Sequence, residues 1–278
     1  MKRRAYGGQG LTTIKVSMIQ MDILFGNPKG NLDKAIPLIE EAAREGSRVV
    51  LLPELWTTGY SYENLRGLVE SLGGKTTSAV LNAASSNNVY VIGSIPRIKD
   101  NTIYNTCLVV GPHGVVGHYD KVHLFRLIGE NNFFTAGNSY SIYHTEFGAI
   151  GTALCYDIRF PELCRPIAIA GAKTLFVPAE WPHPRLNHWR SLLIGRAIEN
   201  QMFVVGCNRV GMDPTNEYFG HSMIVDPAGE VLVEGGETEA LLTGELDLEK
   251  VDRIRSQIPC FKDRNTAAYE NRVDFKEA

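Results

Sequence analysis

The chain has 278 residues, is 44% hydrophobic and carries a formal net charge of −3. That balance suits a folded domain with a substantial core, and it leaves no basic footprint for nucleic acid. No apolar run approaches the ~20 residues needed to span a bilayer, so neither a membrane nor a nucleic acid is expected as a partner. Residues 1–11 are basic and glycine-rich without an apolar stretch, and read as a flexible N-terminal extension, not a secretory signal. Residues 12–278 read as one domain, because no linker, low-complexity tract or repeat divides them.

In chain order, the alternation over 14–20 predicts a strand. Asn27-Pro28 reads as the cap and first turn of a helix to about Glu45, kinked at Pro37 and ended by Gly46. The apolar run Val49-Val50-Leu51-Leu52 predicts a buried strand that stops at Pro53-Glu54. A helix over 78–86 and a strand over 89–94 follow. Segments 102–110 and 115–121 form a hairpin about Gly111-Pro112-His113-Gly114. Segments 140–145 and 149–154 form a second, turning near Phe147-Gly148. Arg159-Phe160-Pro161-Glu162-Leu163 opens a helix, with Pro161 at its first position. A strand over 174–178, a long helix over 187–200 and a strand over 202–207 come next. Strands over 222–225 and 231–234 flank the turn Asp226-Pro227-Ala228-Gly229. A last strand over 241–246 leads to a short helix at about 248–255. Hairpins mixed with crossovers predict an α/β (α+β) chain with a pair of mixed sheets covered by helices.

The cysteines Cys107, Cys155, Cys164, Cys207 and Cys260 are odd in number and widely spaced. They read as free thiols in a reducing, cytoplasmic setting. No Cys-x-x-Cys or His-Glu-x-x-His occurs, so neither a metal nor another cofactor is expected. His183 and His188 are close enough to pair on a metal, but with no carboxylate motif they read as loop polarity.

Three segments carry candidate chemistry. Gly151 to Asp157 reads as a strand stopping at Cys155. A thiol at a strand-to-helix corner lies near the partial positive charge of a helix N-terminus, where a nucleophile is reachable and activated. A buried structural cysteine is the competing reading. Glu54 ends an internal strand beside Leu55, Trp56 and Tyr60. Unless it turns out to solvent, desolvation there raises a carboxyl toward neutrality and suits it to proton transfer. Lys121 sits among Val122, Leu124 and Phe125. It is either a solvated lysine or a buried ammonium, and the second needs anions, for which Glu54 and Glu130 are candidates.

In this order the three segments resemble the nitrilase superfamily of carbon–nitrogen hydrolases, over residues from about 14 to about 263. The resemblance is carried by Leu52-Pro53-Glu54, by Lys121-Val122-His123-Leu124-Phe125 and by Cys155-Tyr156-Asp157-Ile158-Arg159-Phe160-Pro161-Glu162. It implies a catalytic triad of Glu54, Lys121 and Cys155, with Glu130 in Gly129-Glu130-Asn131 holding the lysine. It also implies a four-layer α-β-β-α sandwich of the nitrilase type, and a homodimer or higher homo-oligomer. The helices of 160–171 and 187–200 would pack across the twofold axis; ordinary intrachain packing is the alternative.

The chemistry implied is amide hydrolysis through a cysteine thioester, releasing ammonia. Glu54 takes the thiol proton, and Lys121 with the Tyr156 backbone N–H stabilises the oxyanion. A papain-like histidine mechanism lacks its Cys-Gly-x-Cys-Trp signature here. A catalytically silent binding protein on the same fold is the alternative from another class, against which all three triad positions are intact. A subunit feeding ammonia to a partner enzyme finds no second catalytic domain.

Tyr60, Phe125 and Trp181 could wall the substrate pocket or pack the core. Segments 178–182, 196–201 and 206–211 are most similar to the omega-amidase branch, which hydrolyses 2-oxo-dicarboxylic monoamides such as 2-oxoglutaramate. Such a substrate needs a cation for its carboxylate, and Arg185 and Arg159 are candidates; Arg159 could instead pair with Glu162. Deaminated glutathione and N-carbamoyl amines or amino acids are the runner-up substrates.

Overall fold

The computed structural model describes residues 11–269. Residues 1–10 of the expected N-terminal extension, and residues 270–278, lie outside the described residues. The first half runs β1 (Thr13–Gln20), α1 (Pro28–Arg44), β2 (Val49–Leu51), α2 (Leu65–Leu68), α3 (Lys75–Asn87), β3 (Tyr90–Lys99), β4 (Thr102–Gly111) and β5 (Gly114–Asp120). The second runs β6 (Ile142–Thr145), β7 (Gly148–Thr152), α4 (Pro161–Ile169), β8 (Thr174–Ala179), α5 (Leu186–Asn200), β9 (Phe203–Asn208), β10 (Val210–Met212), β11 (Glu217–Phe219), β12 (Met223–Val225) and β13 (Val231–Glu234). β14 (Ala240–Asp247), α6 (Glu249–Gln257) and α7 (Thr266–Tyr269) close the chain.

Side-chain alternation sorts the first sheet, of order β14-β1-β2-β3-β4-β5, into two faces. Val16, Met18, Val49, Leu51, Ile92, Cys107 and Val109 face the second sheet and join one core with Leu175, Val177, Val205 and Ile224. Ile19, Val50, Leu52, Val91, Leu108 and Val110 face the other way, onto Ala35, Ile39 and Ala42 of α1 and Val80, Ala83 and Ala84 of α3. Covering both faces is why β2 reads as an unbroken apolar run. On the far side, Leu163 and Ile167 of α4 and Trp189, Leu193 and Ala197 of α5 pack onto the second sheet, of order β13-β12-β9-β8-β7-β6. The result is the expected α-β-β-α sandwich.

The two sheets repeat one pairing pattern, which the sequence did not disclose as a repeat. From β14 to β5 the neighbours pair antiparallel, parallel, parallel, antiparallel, antiparallel. From β6 to β13 the sequence of pairings is the same. Glu54 follows β2, and Glu180 follows the equivalent strand β8.

Several boundaries differ from the sequence reading. α1 begins as expected, with the Asn27 side chain accepting the Gly30 N–H at 3.0 Å, but runs through Pro37 to Arg44 as one helix. β6 starts at Ile142, leaving Tyr140 exposed. β7 stops at Thr152, and Cys155–Arg159 forms a separate 3-10 turn before α4. The expected thiol at a helix N-terminus is therefore corrected: α4 begins six residues beyond Cys155. The β10–β11 ribbon lies between 207 and 222, where the sequence reading placed no element.

α5 approaches β9 through Gly206. A Cβ there would lie 2.8 Å from Trp189 Cζ2 and 2.9 Å from Leu193 Cδ1. Gly206→Ala is expected to lower unfolding free energy by about 1–3 kcal/mol, as overpacking does. Urea denaturation measures it, and an unchanged midpoint would contradict this packing.

Candidate active site

Glu54 leaves β2 into a tight turn. Leu55 takes a left-handed φ of 41°, held by its N–H on Ser94 Oγ at 2.7 Å and by the Trp56 N–H on the Ser94 carbonyl at 3.1 Å. Such backbone costs about 1–3 kcal/mol and persists only where its surroundings fix it. The turn aims the Glu54 carboxylate inward, where it is fully buried.

Lys121 follows β5 and is fully buried as well. Its Nζ donates to Glu54 Oε1 at 2.7 Å and to Glu130 Oε1 and Oε2 at 3.0 and 2.8 Å. Burial opposes the charge, but Glu130, Glu54 and Cys155 hold the ammonium well above its usual range. Glu130 lies in a 3-10 turn, where the Phe125 N–H donates to its Oε2 at 2.7 Å. Burial raises the Glu130 carboxyl against the pull of Lys121.

Asn105, on β4, was missed from sequence. Its amide donates to Glu54 Oε1 at 2.8 Å and to Glu130 Oε1 at 3.0 Å, so it spaces the two carboxylates. The only local signal was an amide inside a mostly apolar strand.

Cys155 comes from the other sheet. It has a left-handed φ of 42°, and its thiol donates to the Glu180 carbonyl at 3.7 Å. Burial first, and then Glu54, pushes the thiol well above its ordinary pKa. Asp157, two residues on, is fully buried and fixes this turn. It accepts the Leu154 N–H at 2.9 Å, the Tyr119 hydroxyl at 2.8 Å and the His123 N–H at 3.0 Å. Asp157 thus ties the cysteine turn to the segment bearing Lys121, a role the motif alone did not disclose.

The remaining sequence candidates converge. Phe125, Tyr156, Arg159, Trp181, Pro182 and Arg185 line a small cavity over Cys155 and Glu180. Tyr60 lies outside that lining, in an apolar cluster with Leu55, Leu65, Ile103 and Phe134. Burial raises its phenol, and so do Glu130, Glu54 and Cys155, which places it near their charges. Arg159 lies over the Trp181 ring at 4.6 Å, and Arg185 over Phe125 at 5.8 Å. Among the described residues neither guanidinium has a carboxylate within 4.0 Å, so Arg159 is not paired with Glu162. Burial lowers the Arg159 pKa, and repulsion from Arg185 lowers it further. His188 Nδ1 lies 3.3 Å from Arg159, while His183 meets the edge of Phe219. Among the described residues no group of three or more His, Cys, Asp or Glu could hold a metal ion.

The carbon–nitrogen hydrolase family profile matches residues 15–256. The chain is 42% identical over 250 residues to the 2-oxoglutaramate amidase of Bacillus subtilis (strain 168), covering 89% of this chain and 96% of that one. It is 33% identical over 272 residues to the omega-amidase of Bos taurus, covering 94% and 98%. A crystal structure of a CN-hydrolase superfamily protein from Xanthomonas campestris, with an arsenic adduct in its active site, superposes with a TM-score of 0.86 at 30% identity. That match covers 91% of this chain and 97% of that one.

The raised thiol has a spectroscopic consequence. A group whose pKa is raised keeps its proton longer, so Cys155 is expected to resist forming a thiolate. The 240-nm thiolate absorbance of wild type minus Cys155→Ala should be flat from pH 6 to 9. A thiolate step at or below pH 7 would contradict the geometry.

Proposed function

The chain belongs to the carbon–nitrogen hydrolase family, and on that premise we propose that it is an omega-amidase. Its substrate is a short 2-oxo acid amide such as 2-oxoglutaramate, cleaved through a thioester on Cys155. The observation that carries the substrate reading is the pair of guanidiniums, Arg159 and Arg185, that line the cavity over Cys155 with no carboxylate partner among the described residues. Two cations that repel each other favour an anion between them. The 2-oxoglutaramate amidase and omega-amidase relatives support the same reading.

In the proposed cycle the substrate amide enters between Cys155 and Lys121. Glu54 takes the thiol proton as sulfur attacks the carbonyl carbon, so a thiolate forms only as the C–S bond does. The oxyanion is met by the Tyr156 backbone N–H and Lys121 Nζ. All three ammonium donors point at carboxylates in the free protein, two of them at Glu130. Turning one from Glu130 to the oxyanion leaves each carboxylate one bond from Lys121. A donor of this kind contributes about 3 kcal/mol to the transition state. The C–N bond then breaks and Glu54 passes its proton to the leaving ammonia. Water attacks the thioester, Glu54 takes a proton from it, and that proton returns to the departing sulfur.

The intact Glu54–Lys121–Cys155 set argues against a silent binder. No metal or other cofactor is required by this scheme. The free cysteines suit a cytoplasmic setting. Exposed Ile169 at the end of α4 and Ile198 on α5 support self-association through that outer layer.

Ammonia release measured side by side tests the substrate. 2-Oxoglutaramate should have a far higher kcat/KM than carbamoylputrescine, whose far end is cationic. Arg185→Ala should weaken the anionic substrate selectively by about 1.5–3 kcal/mol, the range for a hydrogen bond to a charged group. If the carbamoyl amine is the better substrate, the omega-amidase reading is wrong and only the family assignment stands.

A further inference from the structure

Outside the Glu54–Lys121–Glu130 cluster the fold buries a second cation between carboxylates. Arg209, at the end of β9, is fully buried. Its Nη1 donates to Glu180 Oε2 at 3.2 Å and its Nη2 to Asp22 Oδ1 at 2.9 Å. Nη2 also reaches the Ile23 carbonyl at 3.1 Å, and the guanidinium stacks over the Tyr218 ring at 4.3 Å. Asp22 follows β1 as Cys155 follows the equivalent strand β7, and Glu180 follows β8 as Glu54 follows β2. The two acidic residues of this cluster therefore sit at strand ends equivalent to those that carry Cys155 and Glu54, while Arg209 follows β9, the equivalent of β3, and has no counterpart in Lys121.

The two clusters meet at one residue. The Glu180 N–H donates to Glu54 Oε2 at 3.2 Å, and the Glu180 carbonyl accepts from the Cys155 thiol at 3.7 Å. The next residue is pinned as well, with the Trp181 N–H on Asn208 Oδ1 at 2.7 Å and Asn208 Nδ2 on the Trp181 carbonyl at 3.0 Å. Glu180 sends its side chain away from the cavity into the Arg209 cage while its backbone faces both reacting groups. We infer that the buried Glu180–Arg209 pair is a positioning device for catalysis: it fixes the Glu180 backbone on both sides of its Cα, which in turn sets the carboxylate of Glu54 against the thiol of Cys155.

The physical argument is one of leverage. Proton transfer from Cys155 to Glu54 requires a separation held to within tenths of an ångström, and a misplacement of ~1 Å can cost on the order of a hundredfold in rate. Glu54 Oε1 is committed to Lys121 and Asn105, while Oε2 accepts from the Glu180 N–H. The Glu180 N–H and carbonyl lie in the two peptide groups that flank its Cα, so a shift of that residue would disturb the partner of Oε2 and the acceptor of the thiol together. Arg209 prevents it by anchoring Glu180 to Asp22 and Ile23, which belong to the opposite sheet's first loop. A lysine could not do this, because a point charge cannot replace a planar fork that reaches several acceptors at fixed angles.

This inference rests on Glu54 as base and Cys155 as nucleophile, and the test separates the two. Glu180→Gln, Glu180→Met and Arg209→Lys are made in the full chain. Each is followed by ammonia release from 2-oxoglutaramate, by thermal unfolding, and by the rate at which iodoacetamide alkylates Cys155, read by peptide mass spectrometry. The alkylation needs no substrate, so a wrong substrate assignment cannot imitate failure. Glu180→Met should lower kcat more than twentyfold with KM within twofold, and slow alkylation. Glu180→Gln keeps an acceptor for Arg209 and should recover most of that loss, to within about fivefold of wild type. Arg209→Lys should lower kcat more than tenfold at unchanged KM, which decides the matter if Glu180→Met does not fold. Variants that lose only thermal stability, with kcat kept, would make the pair structural and overturn the proposal. So would a rise in KM with kcat unchanged. If iodoacetamide marks another cysteine and Cys155→Ala still turns over, the nucleophile assignment fails instead.

Discussion

A lysine ammonium with no exposed surface, held between two carboxylates with no exposed surface, is the constraint the rest of this molecule answers to. Each ion taken out of water loses several kcal/mol of solvation, and mutual attraction restores it only with good geometry and satisfied hydrogen bonds. The fold supplies both. Lys121 reaches both carboxylates, Asn105 bridges them, and the Phe125 N–H completes Glu130. With two acidic groups to one basic one, the cluster stays rich in negative charge. That surplus suits a proton acceptor and opposes a standing thiolate beside it. In the proposed cycle the resting protein therefore presents a thiol to its base, and its reactivity waits for a carbonyl to arrive.

The cluster and the proposed nucleophile, Cys155, belong to different sheets. Glu54, Asn105 and Lys121 come from the ends or middle of strands in the first sheet, and Cys155 and Glu180 from the ends of strands in the second. Their separation is set by how the two sheets pack through the core of Val16, Met18, Leu51, Leu175, Val177 and Val205. Two hydrogen-bonded stitches refine that packing. Asp157 binds the cysteine turn to Tyr119 and His123 at the end of the first sheet. The Glu180 peptide binds the second sheet to Glu54. Left-handed backbone at Leu55 and Cys155 stores strain at both ends of the reaction path. The packed surroundings fix it, as elsewhere at sites where geometry matters more than local ease.

How much of this was legible in the sequence depends on how local the signal is. Glu54 and Cys155 stood out because each lies at the end of an apolar run, Lys121 because apolar residues follow it, and Glu130 as a candidate anion for that lysine inside a short signature. Most strands and the longer helices were legible for a similar reason, since a buried face imposes its period on contiguous residues. The 3-10 turn at Cys155 was not, because a non-glycine residue in left-handed backbone leaves no compositional mark. Pro37 signalled a kink, yet α1 runs through it with Ala35, Ile39 and Ala42 buried on α3 and the first sheet. Asn105 acts on a carboxylate 51 positions away, and Arg209 on one 187 positions away. No spacing rule reaches that far. The matched pairing pattern of the two sheets was equally invisible, since topology can repeat without any repeat of residues.

The central claim is that the reaction passes through a covalent acyl group on Cys155. Acid quench during steady turnover of 2-oxoglutaramate, followed by peptide mass spectrometry, tests it most directly. The account predicts a thioester of the substrate acyl group on the Cys155 peptide, and its loss together with turnover in Cys155→Ala. An acyl group on Cys164 or Cys207, or turnover that survives Cys155→Ala, would contradict it.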